Sequence, residues 1–137
     1  MNEAPEGLLD THILVWARLD PGQLTRRQRD FLAEVEAREG RLAISAITLW
    51  EIAMMASTKK HLKVKASLPS LLAELENNPW IQVLPINAAV AAESVAIRPQ
   101  LATDPADQMI VATARVFRIP LLTADERIIG SNLAIIV

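Results

Sequence analysis

Apolar positions along this chain fall into short unbroken runs, separated by longer stretches in which they recur every three or four residues. The first run, Gly7-Leu8-Leu9 closed by Asp10, reads as a buried strand with an acid at its carboxyl end. Thr11 to Leu19 (THILVWARL) reads as a helix, closed by the turn Asp20-Pro21-Gly22. Thr25 to Glu39 sets Phe31, Leu32 and Val35 on one side, with Arg26, Arg27, Arg29 and Glu36 elsewhere. That pattern predicts an amphipathic surface helix stopped by Gly40. Leu42-Ala43-Ile44-Ser45 is a second strand, and a strongly apolar helix follows from about Ile47 to Thr58. The basic stretch Lys59-Lys60-His61-Leu62-Lys63-Val64-Lys65 is a loop or extended connection. A helix over Ser67 to Asn77 ends at Asn78-Pro79, and Ile81 to Pro85 is a third strand. An alanine-rich helix over Asn87 to Ile97 and another over Asp104 to Arg118 precede a fourth strand, Pro120 to Thr123. Asp125 to Ile129 is a turn of helix, and Ala134 to Val137 a fifth strand.

Strands alternating with helices imply a parallel sheet covered on both faces. Strands that are continuously apolar, rather than alternating, fit that burial. The chain has 137 residues and shows no repeat, low-complexity tract or linker, so residues 1–137 are expected to form one doubly wound α/β domain. An apolar fraction of 51% is enough for a real core. A net charge of −2 does not advertise a nucleic-acid binder, although acids gathered in one place can offset a basic rim elsewhere. With no cysteine, disulfides and thiolate-bound zinc are excluded. Glu3, Glu6 and Asp10 near the start do not look like a signal peptide, and no apolar run approaches the roughly 18 residues of a membrane span. A soluble, cytoplasmic protein with no membrane partner is the expectation.

In open parallel sheets, ligands bind beyond the carboxyl ends of the strands, where the strand order reverses. Asp10 follows the first strand, and Asp125 follows the fourth in Leu121-Leu122-Thr123-Ala124-Asp125. Each has an ordinary explanation as a helix cap, but the fold would bring both to one crevice. Glu51 interrupts a segment apolar almost all round, Ala46-Ile47-Thr48-Leu49-Trp50 and Ile52-Ala53-Met54-Met55-Ala56. A carboxylate there costs several kcal/mol unless a cation or hydrogen-bond donors compensate it. Thr48-x-x-Glu51 also fits a capping box, whereas Ser45 as cap would leave Glu51 beyond the first turn. Asp104-Pro105-Ala106-Asp107 is a helix start with Asp104 as cap and Asp107 favoured by the helix dipole. Several acids in one crevice repel one another, by on the order of 4 kcal/mol for a pair about 4 Å apart at an effective dielectric near 20. A hard divalent cation such as Mg²⁺ or Mn²⁺ relieves that repulsion, and the chemistry it would support is attack of water on a phosphodiester.

Other polar candidates carry less. His12 could donate behind Asp10 or simply face solvent; His61 lies in the basic stretch. Lys59, Lys60, Lys63 and Lys65 are either a solvated face or, beside a nuclease site, phosphate contacts. Trp16 and Trp50 lie in apolar helices, where core packing explains them better than base stacking.

Leu8-Leu9-Asp10-Thr11-His12, Ser45-x-x-Thr48-x-x-Glu51-Ile52-Ala53, Asp104-Pro105-Ala106-Asp107-Gln108-Met109-Ile110-Val111-Ala112-Thr113-Ala114 and Leu122-Thr123-Ala124-Asp125, in this order and spacing, resemble the PIN-domain ribonuclease toxins called VapC. The resemblance runs from about Gly7 to Val137. It implies an α/β/α sandwich on a central, mainly parallel five-stranded sheet, Mg²⁺ or Mn²⁺ as cofactor, RNA as substrate, a homodimer, and inhibition by a VapB-like antitoxin. The family's four acids map to Asp10, Glu51, Asp107 and Asp125, with Asp104 an extra acid able to compete with Asp107. On this likeness Asp10, Asp107 and Asp125 hold the cation, Glu51 orients or deprotonates water, and Thr11 or Thr123 hydrogen-bonds a carboxylate or phosphate.

Three rivals are weaker. A phosphatase of the haloacid dehalogenase type wants a second Asp where this chain has His12, and a phosphoacceptor receiver domain wants a lysine after the last strand. A PIN-like fold kept only as an RNA- or protein-binding module is the alternative from outside enzymology.

Overall fold

The computed structural model describes residues 4–58 and 68–137. The basic stretch, with Lys59, Lys60, His61, Lys63 and Lys65, lies outside the described residues. In chain order the elements are β1 (Leu8–Leu9), α1 (Thr11–Leu19), a 3₁₀ turn (Pro21–Gln23), α2 (Arg26–Ala37), β2 (Leu42–Ser45), α3 (Ala46–Thr58), α4 (Leu68–Asn77), β3 (Ile81–Leu84), α5 (Ala88–Ala96), α6 (Pro105–Phe117), β4 (Leu121–Leu122) and α7 (Glu126–Ser131).

Local chemistry accounts for most boundaries. Thr25 and Gln28 form a reciprocal capping box at the start of α2. Asn87 caps α5 by accepting from the Val90 N–H. Asp104 caps α6 with Pro105 at its first position, and Arg118 ends that helix in the left-handed region at φ 56°. Gly40 follows α2 as expected, although its own φ is not in the left-handed region. The left-handed residue there is Glu39, and a Cβ on Gly40 would collide with the Glu6 carboxylate. Among the described residues no helix is long and apolar enough to cross a membrane.

The strands pair in the order β3-β2-β1-β4, every neighbour parallel. Successive strand residues point to opposite faces, and the two faces are covered by different helices. Leu8, Ala43 and Leu121 pack with Val90, Ile110 and Val111 of α5 and α6. Leu9, Ile44 and Leu122 pack with Ile13, Ile52 and Leu75 of α1, α3 and α4. Both layers are dry: Leu8, Ile44, Ile110, Leu121 and Leu122 are fully buried. The chain runs outward through β1, β2 and β3, then returns to the other side of β1 to place β4, so the order reverses between β1 and β4.

The expected fifth strand is a correction. Among the described residues the sheet has four strands, and the segment 134–137 makes a single bridge, Leu121 with Ile136. Leu121 donates to the Ile135 carbonyl at 2.7 Å and accepts from the Val137 N–H at 3.1 Å. Neighbouring groups on that edge are engaged elsewhere. The Thr123 carbonyl accepts from the Gln28 amide, and the Ile119 N–H donates to Ala114 at the end of α6.

Candidate active site

Asp10 leaves β1 at the point of reversal. Its N–H donates to the Leu122 carbonyl at 2.9 Å, extending the β1–β4 pairing by one residue, and its side chain caps α1. One carboxylate oxygen accepts from the Thr11 N–H at 2.8 Å and the other from the Thr123 hydroxyl at 2.7 Å. The residue is only 7% exposed. Burial raises its pKa, against the hydrogen bonds of Thr123 and Thr11 and the charge of His12.

Thr123 ties the ends of β1 and β4 together. Its hydroxyl donates to Asp10 and accepts from the Asp125 N–H at 3.0 Å, while its carbonyl accepts from the Gln28 side chain at 3.2 Å. Gln28 is held in turn by the capping box with Thr25. The sequence reading passed over Gln28, because nothing local distinguishes a capping glutamine from one that also reaches a residue 95 positions away.

Glu51 is not a cap. Helix α3 begins at Ala46, and the Ser45 hydroxyl accepts from the Ile47 N–H at 3.2 Å, so Glu51 lies in the second turn. Its carboxylate accepts instead from the Thr11 hydroxyl at 2.5 Å. The Thr11 and Thr48 hydroxyls are 2.9 Å apart, and both residues are buried. Thr11 has one proton; once it is given to Glu51, Thr48 must be the donor to Thr11. Burial raises the Glu51 pKa; the Thr11 bond opposes this, and the charges of Asp10 and Asp104 add to it.

Asp104 and Asp107 part company at the start of α6. Asp104 is exposed and accepts the Asp107 N–H at 3.0 Å, as its capping role requires. The Asp107 side chain is 15% exposed and faces inward. Its carboxyl is pushed up from 3.8 to about 7, first by burial and then by the negative charges of Asp104, Asp10, Asp125 and Glu51. Asp107 therefore feels every other acid singled out from the sequence.

Asp125 caps α7, accepting the Arg127 N–H at 2.9 Å. The Arg127 guanidinium reaches the same carboxylate at 3.1 Å and lies 3.7 Å from Asp107. Burial raises the Asp125 carboxyl, but the side-chain and backbone hydrogen bonds from Arg127 outweigh it and hold the group below the usual carboxylate range. Arg127 was not singled out in the sequence; an arginine two residues past the last acid was the available signal.

Hydrogen bonds thus link Asp10 to Thr123 and Thr123 to Asp125, and Thr11 to Glu51, while the charges of Asp10, Glu51, Asp104 and Asp125 all act on Asp107. His12 is exposed, with its ring 5.9 Å from that of Trp16, and among the described residues it joins no group of acids or histidines around one point. Trp50 is a second correction: it is 56% exposed rather than packed in the core, because α3 turns Ile52 and Thr48 inward and this position outward. With Ile47, Ile86, Pro105 and Met109 it lines an open cleft of about 580 Å³ bordered by Glu51 and Asp104.

The donors suit a hard divalent cation, being carboxylate and hydroxyl oxygens without sulfur. The Asp107 carboxyl is raised first by burial and then by the four neighbouring acids, whose charge such an ion would offset. Among the described residues, however, no three acids or histidines already surround one point as a finished ligand set.

An open parallel sheet with buried acids at its point of reversal defines a class of α/β proteins built to work at strand ends. Residues 7–130 match the family model for the PIN domain, and the chain belongs to that family. Ribonuclease VapC22 of Mycobacterium tuberculosis is 29% identical over 121 residues, covering 88% of each chain. The crystal structure of FitAcB from Neisseria gonorrhoeae superposes with a TM-score of 0.65 at 25% identity, covering 96% of both chains. VapBC2 from Rickettsia felis, solved bound to a DNA fragment from the pair's promoter, superposes at 0.69 with 20% identity and 96% of both chains covered. The resemblance to VapC proteins read from the four motifs is therefore borne out.

Proposed function

We propose that this chain is the toxin of a VapBC-type pair, a Mg²⁺- or Mn²⁺-dependent endoribonuclease that hydrolyses RNA phosphodiester bonds. The observation that carries the reading is the gathering of acids at the strand ends: Thr123 links Asp10 to Asp125, Thr11 holds Glu51, and the half-buried Asp107 feels the charge of all of them. Such repulsion costs stability in a fold that keeps it for no purpose.

In this reading Asp10, Asp107 and Asp125 hold the ion, and Asp104 remains a cap. When bound, the ion supplies charge stabilisation at the phosphoryl oxygens. Glu51 takes the proton of the attacking water on its carboxylate, and its raised pKa makes it a better acceptor than an ordinary glutamate. Thr11 fixes one Glu51 oxygen through the 2.5 Å bond and leaves the other to meet water. Thr123 fixes Asp10 in the same manner. Attack in line breaks the P–O bond to the leaving nucleotide. A VapB-like antitoxin, a homodimer and the cytoplasm complete the proposal; the relatives solved as toxin–antitoxin complexes support the first of these.

Purified protein incubated with total cellular RNA, with and without Mg²⁺ or Mn²⁺, tests the reading. Cleavage that requires the ion and disappears in Asp10→Asn and Glu51→Gln is expected. RNA binding without ion-dependent cleavage would make the chain a binding module instead, and equal cleavage by the variants would remove these acids from the chemistry.

A further inference from the structure

Two carboxylates from different elements converge on one guanidinium nitrogen. Arg127 Nη2 lies 3.1 Å from Asp125 Oδ2, at the start of α7, and 3.7 Å from Asp107 Oδ2, in the first turn of α6. Among the described residues, Arg127 is the cationic side chain ion-paired with these acids. Nothing packs it in place: its side chain is 65% exposed, against 15% for Asp107 and 23% for Asp125. A divalent cation binds carboxylate oxygens at about 2.0–2.6 Å. An ion held between the two Oδ2 atoms would therefore need the space that Nη2 now faces. Two cations cannot share it.

We infer that Arg127 is a resident counter-cation of the acid cluster, competing with the divalent ion for Asp107 and Asp125 and thereby setting how tightly the ion binds. The inference rests on the metal-site reading above and adds a residue that the four acids do not include. The guanidinium links α6 to α7 across the crevice, and its exposed stem lets it swing outward when an ion takes its place. An arginine suits the role because its planar fork meets both oxygens of Asp125, through Nε and Nη2, while keeping its charge at any physiological pH.

The test is calorimetric titration of the full chain with Mn²⁺ at low ionic strength, for the parent, Arg127→Gln, Arg127→Lys and Asp107→Asn. Removing the competing charge should tighten Mn²⁺ binding by Arg127→Gln on the order of tenfold, equivalent to about 1.4 kcal/mol. The gain should shrink as KCl is added, because exposed charges are screened. Arg127→Lys keeps the charge without the fork and should stay within about threefold of the parent. In the parent itself, saturating Mg²⁺ should move the Arg127 Nε–H resonance toward that of a free side chain, a measurement that needs no variant to fold. Unchanged or weaker Mn²⁺ binding by Arg127→Gln, or an Arg127 resonance indifferent to Mg²⁺, overturns the inference. If the parent binds and Asp107→Asn does not, that failure touches Arg127 alone. Absence of binding by the parent and Arg127→Gln alike would bring down the metal-site reading as well.

Discussion

Replacing Asp107 by Asn removes a negative charge from the centre of the acid cluster at almost constant volume. In the folded protein this carboxyl titrates near 7 instead of 3.8. The displacement spans roughly three decades in acidity, and at about 1.4 kcal/mol per decade it corresponds to about 4 kcal/mol. The sign follows from proton binding. Between the two pKa values the folded chain keeps a proton that the unfolded chain has released, so stability falls steadily as pH rises from about 4 to about 7. Below that window both states are protonated and nothing is lost; above it the full cost is present. That figure is already net of the 3.7 Å approach of Arg127 to the carboxylate, so Asn, which carries no charge to lose, should gain up to about 4 kcal/mol at pH 8, or on the order of 10 °C in Tm for a domain of this size. Thermal melts of parent and variant in chelator, from pH 4 to pH 8.5, read it directly. Curves that converge near pH 4 and part above pH 6, with Asn the more stable, are expected. A variant that melts lower than the parent by the same margin at every pH would refute the reasoning and make Asp107 an ordinary helix-end carboxylate.

Thr123→Val deletes the donor to Asp10 and the acceptor for the Asp125 N–H, and should cost about 1–3 kcal/mol, with Thr123→Ser recovering most of it in denaturant titrations. Asp10→Asn should gain less than Asp107→Asn at pH 8, since it gives up a charge-assisted bond from Thr123; equal gains in Tm would contradict this difference. Asp104→Asn should leave RNA cleavage far closer to the parent than Asp107→Asn does, because asparagine still caps α6; the reverse ranking in initial rates would exchange their roles. Glu51→Gln should keep its fold, still accepting from Thr11, yet lose cleavage at all pH values; a variant that regains activity as pH rises would mean another group takes the proton.

Much of this architecture was legible because its signals are local. Asp104-Pro105 announces the start of α6 through capping geometry, and runs such as Leu42–Ser45 announce strands buried on both faces. The convergence of Asp10 and Asp125 followed from the rule that parallel sheets expose their strand ends where the order reverses. Glu51 was ambiguous, since either Ser45 or Thr48 could begin its helix, and choosing between them needs the hydroxyl of Thr11, 40 residues away. The fifth strand was misread because its apolar character is real but its pairing stops at a single bridge, while neighbouring groups on that edge are engaged by Gln28 and Ala114. Trp50 was misplaced because an almost uniformly apolar helix does not reveal by periodicity which side faces outward.

The latch through Thr123 bears on when the site comes into being. Its bond to Asp10 spans 113 residues and its bond to Gln28 spans 95, so the crevice depends on contacts between nearly opposite ends of the sequence. Closing loops of that length costs more chain entropy than forming the local helices. A chain still emerging from the ribosome holds Asp10, Thr11 and Glu51 well before Thr123 has been synthesised. Until then Asp10 lacks its second donor and Asp107 lacks Asp125 across the crevice. Partly made chains therefore carry Asp10 and Glu51 without the bond that ties Asp10 to the region of Asp125.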